Sequence, residues 1–188
     1  MPTTSRITEE MILDAGIAVL KRAGEQAVSV RSVAAELHCS TQPVMYHFRS
    51  VGALKDALYA RADALHSAYL NEPEDTEDPL LSVGLRYIRF GAEERHLFRF
   101  LFQSDRLGGR GLRALTADPA IAPVIAMVAQ AAQLPTEQAA KAFGALELAV
   151  HGYASLLANN SMPFDAADAA RTLRLIFFGV IGALKTGG

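Results

Sequence analysis

The sequence predicts an all-α protein, and three observations carry that expectation. Apolar residues recur at helical spacing in nearly every segment, no stretch alternates with the two-residue period of a half-buried strand, and segment ends carry helix-start and helix-stop residues. Of 188 residues, 51% are hydrophobic and 20% charged, enough apolar material for a packed core and too much for a disordered chain. The formal net charge of -2 excludes a polybasic binder but permits a local charged surface. A lone cysteine, Cys39, excludes an intrachain disulfide framework and a thiolate zinc site, and points to a reducing, cytoplasmic compartment.

The elements follow in order. Ile12, Ala15, Gly16, Val19 and Leu20 form an amphipathic stripe, with Thr8 as N-cap, Glu9 and Glu10 in the first turn, and Gly24 as the stop. A short second helix follows Ser29 and carries Val33, Ala34 and Leu37. A third runs from about Thr41 to Phe48, with Pro43 near its start, where a missing N–H costs nothing. Ser50 caps a longer fourth helix, expected to reach about Leu70. Residues 71–78 hold five acids and no apolar residue, a solvated connection. Asp78-Pro79 opens a fifth helix to about Glu93, and Leu97–Phe102 continues helically. Arg106–Gly111 reads as a loop, and a further helix spans Ala120–Leu134, ended by Pro135. Two long apolar helices, Thr136–Asn159 and Asp165–Lys185, close the chain.

No signal peptide is readable in the polar start Met1–Arg6. The longest uncharged stretch, Pro119–Thr136, holds three prolines and falls short of the roughly 20 strongly apolar residues of a membrane span, so no membrane partner is expected.

The window from Ser29 to Lys55 carries the functional information. Two very short helices are joined by about four residues, with the small Ala34 at their expected crossing. That is a helix-turn-helix layout, whose second helix enters the DNA major groove. Thr41 and Gln42 stand at its N-terminus, where Gln can pair bidentately with adenine and a Thr methyl can meet a thymine methyl. Tyr46 and His47 lie one turn on, placed to donate to phosphates. Val44 and Phe48 are expected in the core.

With Val33-Ala34-Ala35-Glu36-Leu37, a turn ending at Ser40, then Thr41-Gln42-Pro43-Val44-Met45-Tyr46-His47-Phe48, the window resembles the DNA-binding domain of TetR-family transcriptional regulators. The resemblance extends back through Gly24 to Ala15 and forward through Phe48-Arg49-Ser50 into Ala53-Leu54, about 60 of the 188 residues. It implies an N-terminal three-helix DNA-binding domain over residues 1–50, continuing into a connecting helix over 50–70. A helical ligand-binding and dimerisation domain over 71–188 then follows. Three positions depart from the family pattern. His38 stands where a turn glycine is frequent, Met45 where many members have Tyr, and Val51 where a phosphate-binding Lys is frequent. Arg49 and Lys55 are expected to compensate, and residues 1–61, with seven basic and six acidic side chains, carry a net charge of only about +1.

The expected DNA contacts are therefore Arg6 on an N-terminal arm, Ser29, Arg31, Thr41, Gln42, Tyr46, His47, Arg49 and Lys55. The expected ligand pocket combines Arg86, Tyr87, Arg89, Phe90, Phe98, Phe102, Met127 and His151, with an arginine pairing the carboxylate of an apolar, aromatic or acidic effector. The fourth helix would couple pocket to DNA. Heptad-like spacing of Phe143, Leu146, Val150, Tyr153 and Leu157, and of Leu173, Phe177, Val180 and Leu184, predicts homodimerisation through the last two helices. His151 and Glu147 lack a third ligand for metal, and no catalytic motif, cofactor fingerprint or phosphate loop is present. The sequence thus predicts a homodimeric regulator of a double-stranded DNA operator, most often a repressor in this family, released by a small-molecule effector. The alternative is a helical ligand-binding or adaptor protein without operator specificity.

Overall fold

A computed structural model describes residues 7–72, 76–104, 117–160 and 162–186. The helices are α1 (Glu9–Ala23), α2 (Val30–Glu36), α3 (Thr41–His47), α4 (Val51–Leu70), α5 (Pro79–Glu93), α6 (Arg95–Phe102), α7 (Ala122–Ala132), α8 (Thr136–Asn159) and α9 (Ala166–Thr186). No strand occurs among the described residues. The expected element boundaries hold to within a few residues. The largest shift is at α7, where Pro119–Ile121 forms a separate single-turn 3-10 helix and Gln133 closes α7 in the left-handed region at φ 53°. The expected loop at 106–111 lies outside the described residues.

The chain divides into two compact units, one of residues 1–68 with 94–104, the other of 69–93 with 105–188. The expected division placed everything after residue 70 in the second. Segment 94–104 joins the first instead because α6 packs on α1 and presents Leu97, Phe98, Phe100 and Leu101, all buried.

In the first unit, Ile12 and Leu20 of α1, Val33 of α2, Val44 of α3, and Leu54 and Leu58 of α4 are fully buried. Each such side chain contributes about 1.5–3 kcal/mol relative to an exposed one. Thr8 caps α1 by accepting from the Met11 N–H, and Gly24, at φ 80°, ends it where a side chain would be strained. Ser29 and Ser32 form a reciprocal capping box on α2.

The turn between α2 and α3 closes without glycine. His38 itself takes the left-handed conformation, at φ 50°. The Cys39 N–H donates to the Ala34 carbonyl and the His38 N–H to the Ala35 carbonyl, the paired bonds of a Schellman motif. Histidine tolerates this region better than most residues, and the two carbonyls satisfied by the motif offset the strain.

The second unit is built on close helix approach. A Cβ on Gly91 of α5 would lie 2.7 Å from the Ala154 carbonyl oxygen of α8, so these backbones meet only because position 91 is glycine. Ala139, Ala142, Ala154 and Ala158, all buried, keep α8 slim along its length.

The expected dimer-interface register requires correction. Phe143, Val150, Leu157 and Leu173 are buried within their own chain. Leu146, Phe177, Val180 and Leu184 are partly buried and pack against the cluster formed by Ile125, Val128, Ala139, Ala142 and Ile181, while Tyr153 is half-buried. Heptad spacing selected the face of each helix that the subunit uses for its own core. The opposite faces remain uncovered. Leu148 and Leu156 of α8 are exposed, as are Leu175 (76%) and Phe178 (68%) of α9. A Cβ at Gly152, Gly179 or Gly182 would meet no atom within 4 Å.

Candidate nucleic-acid interface and ligand cavity

Helix α3 presents its polar residues outward because Val44, one turn from either end, anchors it in the core together with Phe48. Thr41 and Gln42 are exposed at its N-terminus, and Tyr46 is 75% exposed. Met45 stands exposed beside them. Thr41, Gln42 and Tyr46, which the sequence assigns to base and phosphate contact, are each displayed to solvent.

The flanking groups divide. Arg31 and Arg49 are exposed, and neither makes an ion pair with a described residue. Lys21, Arg22 and Arg61, by contrast, pair with Glu94, Glu36 and Asp14 at 2.6, 2.7 and 2.7 Å. Lys55 does not match its expected role. It is half-buried and bound to Glu25 at 3.1 Å, so its charge is already answered within the unit. His47 is half-buried, with its ring edge-on to Tyr46 and Nε2 at 3.2 Å from the Ile7 carbonyl oxygen. Its direct role is to fasten the residue preceding Thr8, the α1 cap, to the end of α3. The Ser29 hydroxyl is taken up by the α2 cap. Arg6 lies outside the described residues.

The second unit contains a cavity of about 320 Å³ that opens to solvent beside the exposed Arg174 and Phe178. Its walls come from α5, α7, α8 and α9: Leu81, Gly84 and Tyr87; Val124 and Val128; Phe143, Leu146, Glu147 and Val150; and Leu173, Arg174, Phe177 and Phe178. Asp78 also reaches the lining while capping α5, accepting from the Leu80 and Leu81 N–H groups at 3.0 and 3.1 Å.

Tyr87 is the one expected pocket residue that lines this cavity. Its hydroxyl is 2.9 Å from Nδ1 of His151, which lies outside the lining, and it also hydrogen-bonds the Glu147 carboxyl. A phenol has a single proton, so the arrangement that satisfies all three has Tyr87 donating to Glu147 and the His151 Nδ1–H donating to the phenolic oxygen. Burial raises the Glu147 carboxyl above the usual range, an effect the Tyr87 hydrogen bond only partly opposes. Burial likewise lowers His151, disfavouring its charged form.

The other expected pocket residues lie elsewhere. Arg86 pairs with Glu72 and stacks over Tyr69, 4.7 Å from the ring centroid. Arg89 lies 3.8 Å from Glu93 and 4.9 Å from the Phe164 centroid. Phe90 is buried edge-on to Tyr69. Phe98 and Phe102 belong to the first unit, their rings tilted at 56° with centroids 5.1 Å apart, and Phe102 is also edge-on to His66. Met127 is half-buried and does not line the cavity. The arginine at the cavity is Arg174, exposed and without an ion pair among the described residues. Its spacing from Leu173 and Phe177 was the available signal, masked by a helix apolar on nearly every side.

A short-turn helix pair with a polar second helix, in a chain that also contains an apolar cavity in a separate helical unit, defines a helix-turn-helix protein able to hold a small molecule. The sequence profile of the "Tetracyclin repressor-like, C-terminal domain" matches residues 80–177, 98 of the 188 residues, and the chain belongs to this TetR family of transcriptional regulators. No curated protein sequence matches it. Among solved structures it is similar in fold to a TetR-like transcriptional regulator from Rhodococcus sp. RHA1, with TM-score 0.66, 19% identity, and coverage of 97% of this chain and 99% of that one. It is similar also to a TetR variant from Acinetobacter baumannii AYE in complex with minocycline (TM-score 0.52, 17% identity, 96% of each chain). A TetR-family member from Streptomyces coelicolor gives TM-score 0.52 and 24% identity over 89% of this chain and 96% of that one. No described helix is long and apolar enough to cross a membrane.

Proposed function

We propose that this regulator is a homodimeric repressor that binds a near-palindromic operator through α3 and is released by a small molecule held in the second-unit cavity. The observation that carries the reading is the exposed row Thr41, Gln42 and Tyr46, flanked by two cations, Arg31 and Arg49, that no described residue neutralises. Unpaired cations release DNA counterions at no cost in broken ion pairs, and exposed amide and hydroxyl groups read base edges without prior rearrangement.

The uncovered stripe of Leu148, Leu156, Leu175 and Phe178, with bare glycines between, supports pairing of α8 and α9 with a second copy in a four-helix arrangement. Two recognition helices would then read successive major grooves roughly 34 Å apart. An effector that favours the form with the wrong spacing weakens operator binding by its differential affinity, typically about 1–3 kcal/mol. That the Acinetobacter relative holds minocycline supports a small molecule as the occupant here. Selection of bound sequences from random DNA by the purified protein tests the reading: a two-fold-symmetric site is expected, and binding without sequence preference would favour an adaptor instead.

A further inference from the structure

We infer that the cavity selects a lipophilic organic cation, an amine or quaternary ammonium on an apolar body, with Glu147 as its counter-ion. This rests on the reading of that cavity as the effector site and names the class of molecule it takes.

The argument starts from what is unusual in the wall. Carboxylates are rarely placed against apolar surroundings unless paired, because ionisation there costs hydration. Glu147 faces a lining that is otherwise mostly aliphatic and aromatic, and its carboxyl has the Tyr87 hydroxyl as hydrogen-bond partner. An ionised carboxylate has about four acceptor sites, so the Tyr87 hydrogen bond leaves most of its capacity unmet among the described residues. Burial lowers His151, one turn on along the same helix, and so disfavours a compensating positive charge there.

The other charged and titratable groups around Glu147 leave this need standing. From α5, Tyr87 donates one hydrogen bond, and Asp78 is a second acid, occupied in capping. The lining residues of α7 are apolar. From α9 comes Arg174, which is exposed, so solvent screens it, and it forms no ion pair with a described residue, Glu147 included. A ligand cation therefore supplies the missing charge, and Phe143 and Phe177 offer ring faces on which an alkylammonium is favoured. A ligand carboxylate placed at the same depth would meet Glu147 as a like charge.

Binding of a cation must also favour the ionised form of Glu147. Because burial holds that carboxyl above its usual range, a permanently charged ligand should bind more tightly as pH rises, releasing a proton from the protein as it binds.

The test uses the full chain, calorimetric titration, and two probes: 4-phenylbutyl-trimethylammonium and its uncharged isostere, in which carbon replaces the nitrogen. Wild type should bind the cation about tenfold or more tightly than the isostere, and progressively more tightly as pH rises. Glu147→Gln, with folding checked by circular dichroism, should erase both the preference and the pH dependence while leaving the isostere unchanged. Equal affinity of the two probes for wild type overturns the inference and leaves a site for neutral ligands. A preference that survives in Glu147→Gln overturns the assignment of the counter-ion. Failure of both probes to bind overturns the inference together with the effector-site reading. The wild-type comparison alone decides the matter if the variant does not fold.

Discussion

Helix α3 and the α8 wall of the cavity each set polar groups beside apolar ones, but in opposite surroundings. On α3, Val44 is buried and the polar residues Thr41, Gln42 and Tyr46 stand in solvent, hydrated until a partner arrives. On α8, Phe143 and Val150 are buried and Glu147 is half-buried beside them, where lost hydration already hinders its ionisation. The first arrangement suits a large, hydrated, highly charged partner that exchanges its waters one group at a time. The second suits a small partner that must supply what the wall lacks. On the proposed reading, one site works by display and the other by deficit.

The sharpest way to break this contrast is at the uncovered stripe, which displays apolar rather than polar groups and should therefore be covered. Leu175→Glu is expected to convert dimer to monomer in sedimentation analysis and to lower operator affinity by about 100-fold or more, since the second half-site then binds without the benefit of linkage. A dimeric Leu175→Glu protein would place the interface elsewhere.

A smaller effect asks whether the first unit, too, stores cost in its interior. His66 is buried against Phe102, and desolvation lowers its pKa to about 4. A histidine with a folded-state value below its unfolded value of about 6.5 leaves stability intact above 6.5, and stability is lost as pH falls from there toward 4. About 2 kcal/mol of stability should be gone at pH 5, measurable by denaturant unfolding, and His66→Leu should remove that slope. In the second unit, raised Glu147 and lowered His151 respond to acid in opposite senses, so their contributions to its pH dependence oppose each other.

The smallest effect separates two kinds of cation around α3. Arg49→Ala and Arg31→Ala should each lower the dependence of log affinity on log salt by about one unit for every phosphate left without its cation, across all DNA sequences. Lys55→Ala should leave that slope unchanged, because Lys55 is bound to Glu25.

How far the sequence was legible follows the same contrast. The polar row of α3 could be read because a short helix with Val44 inward leaves few choices for what faces out. The caps at Thr8 and Ser29 were legible because capping is local chemistry, decided within four residues. The cavity was not. Its lining is set by how four helices pack, and α9 is apolar on nearly every side, so periodicity could not tell Leu173 and Phe177, which pack inward, from the exposed Leu175 and Phe178. Arg86 looked available because its partner Glu72 is 14 residues away. Arg89 did so because one of its two contacts, the Phe164 ring, is distant in sequence, although Glu93 stands one turn on. The same limit misplaced Lys55, whose Glu25 partner is thirty residues away. Phe98 and Phe102 were assigned by composition to a unit from which packing removes them.

The central claim is that α3 reads sequence through its exposed N-terminal side chains, and Gln42→Ala tests it most directly. Bound DNA should be selected from a random pool by wild type and variant in parallel at the same salt concentration. The account predicts a cost of about 1–3 kcal/mol on the wild-type site, with preference relaxed at one base pair in each half-site and retained elsewhere. Selection of the same site with undiminished affinity by Gln42→Ala would contradict it.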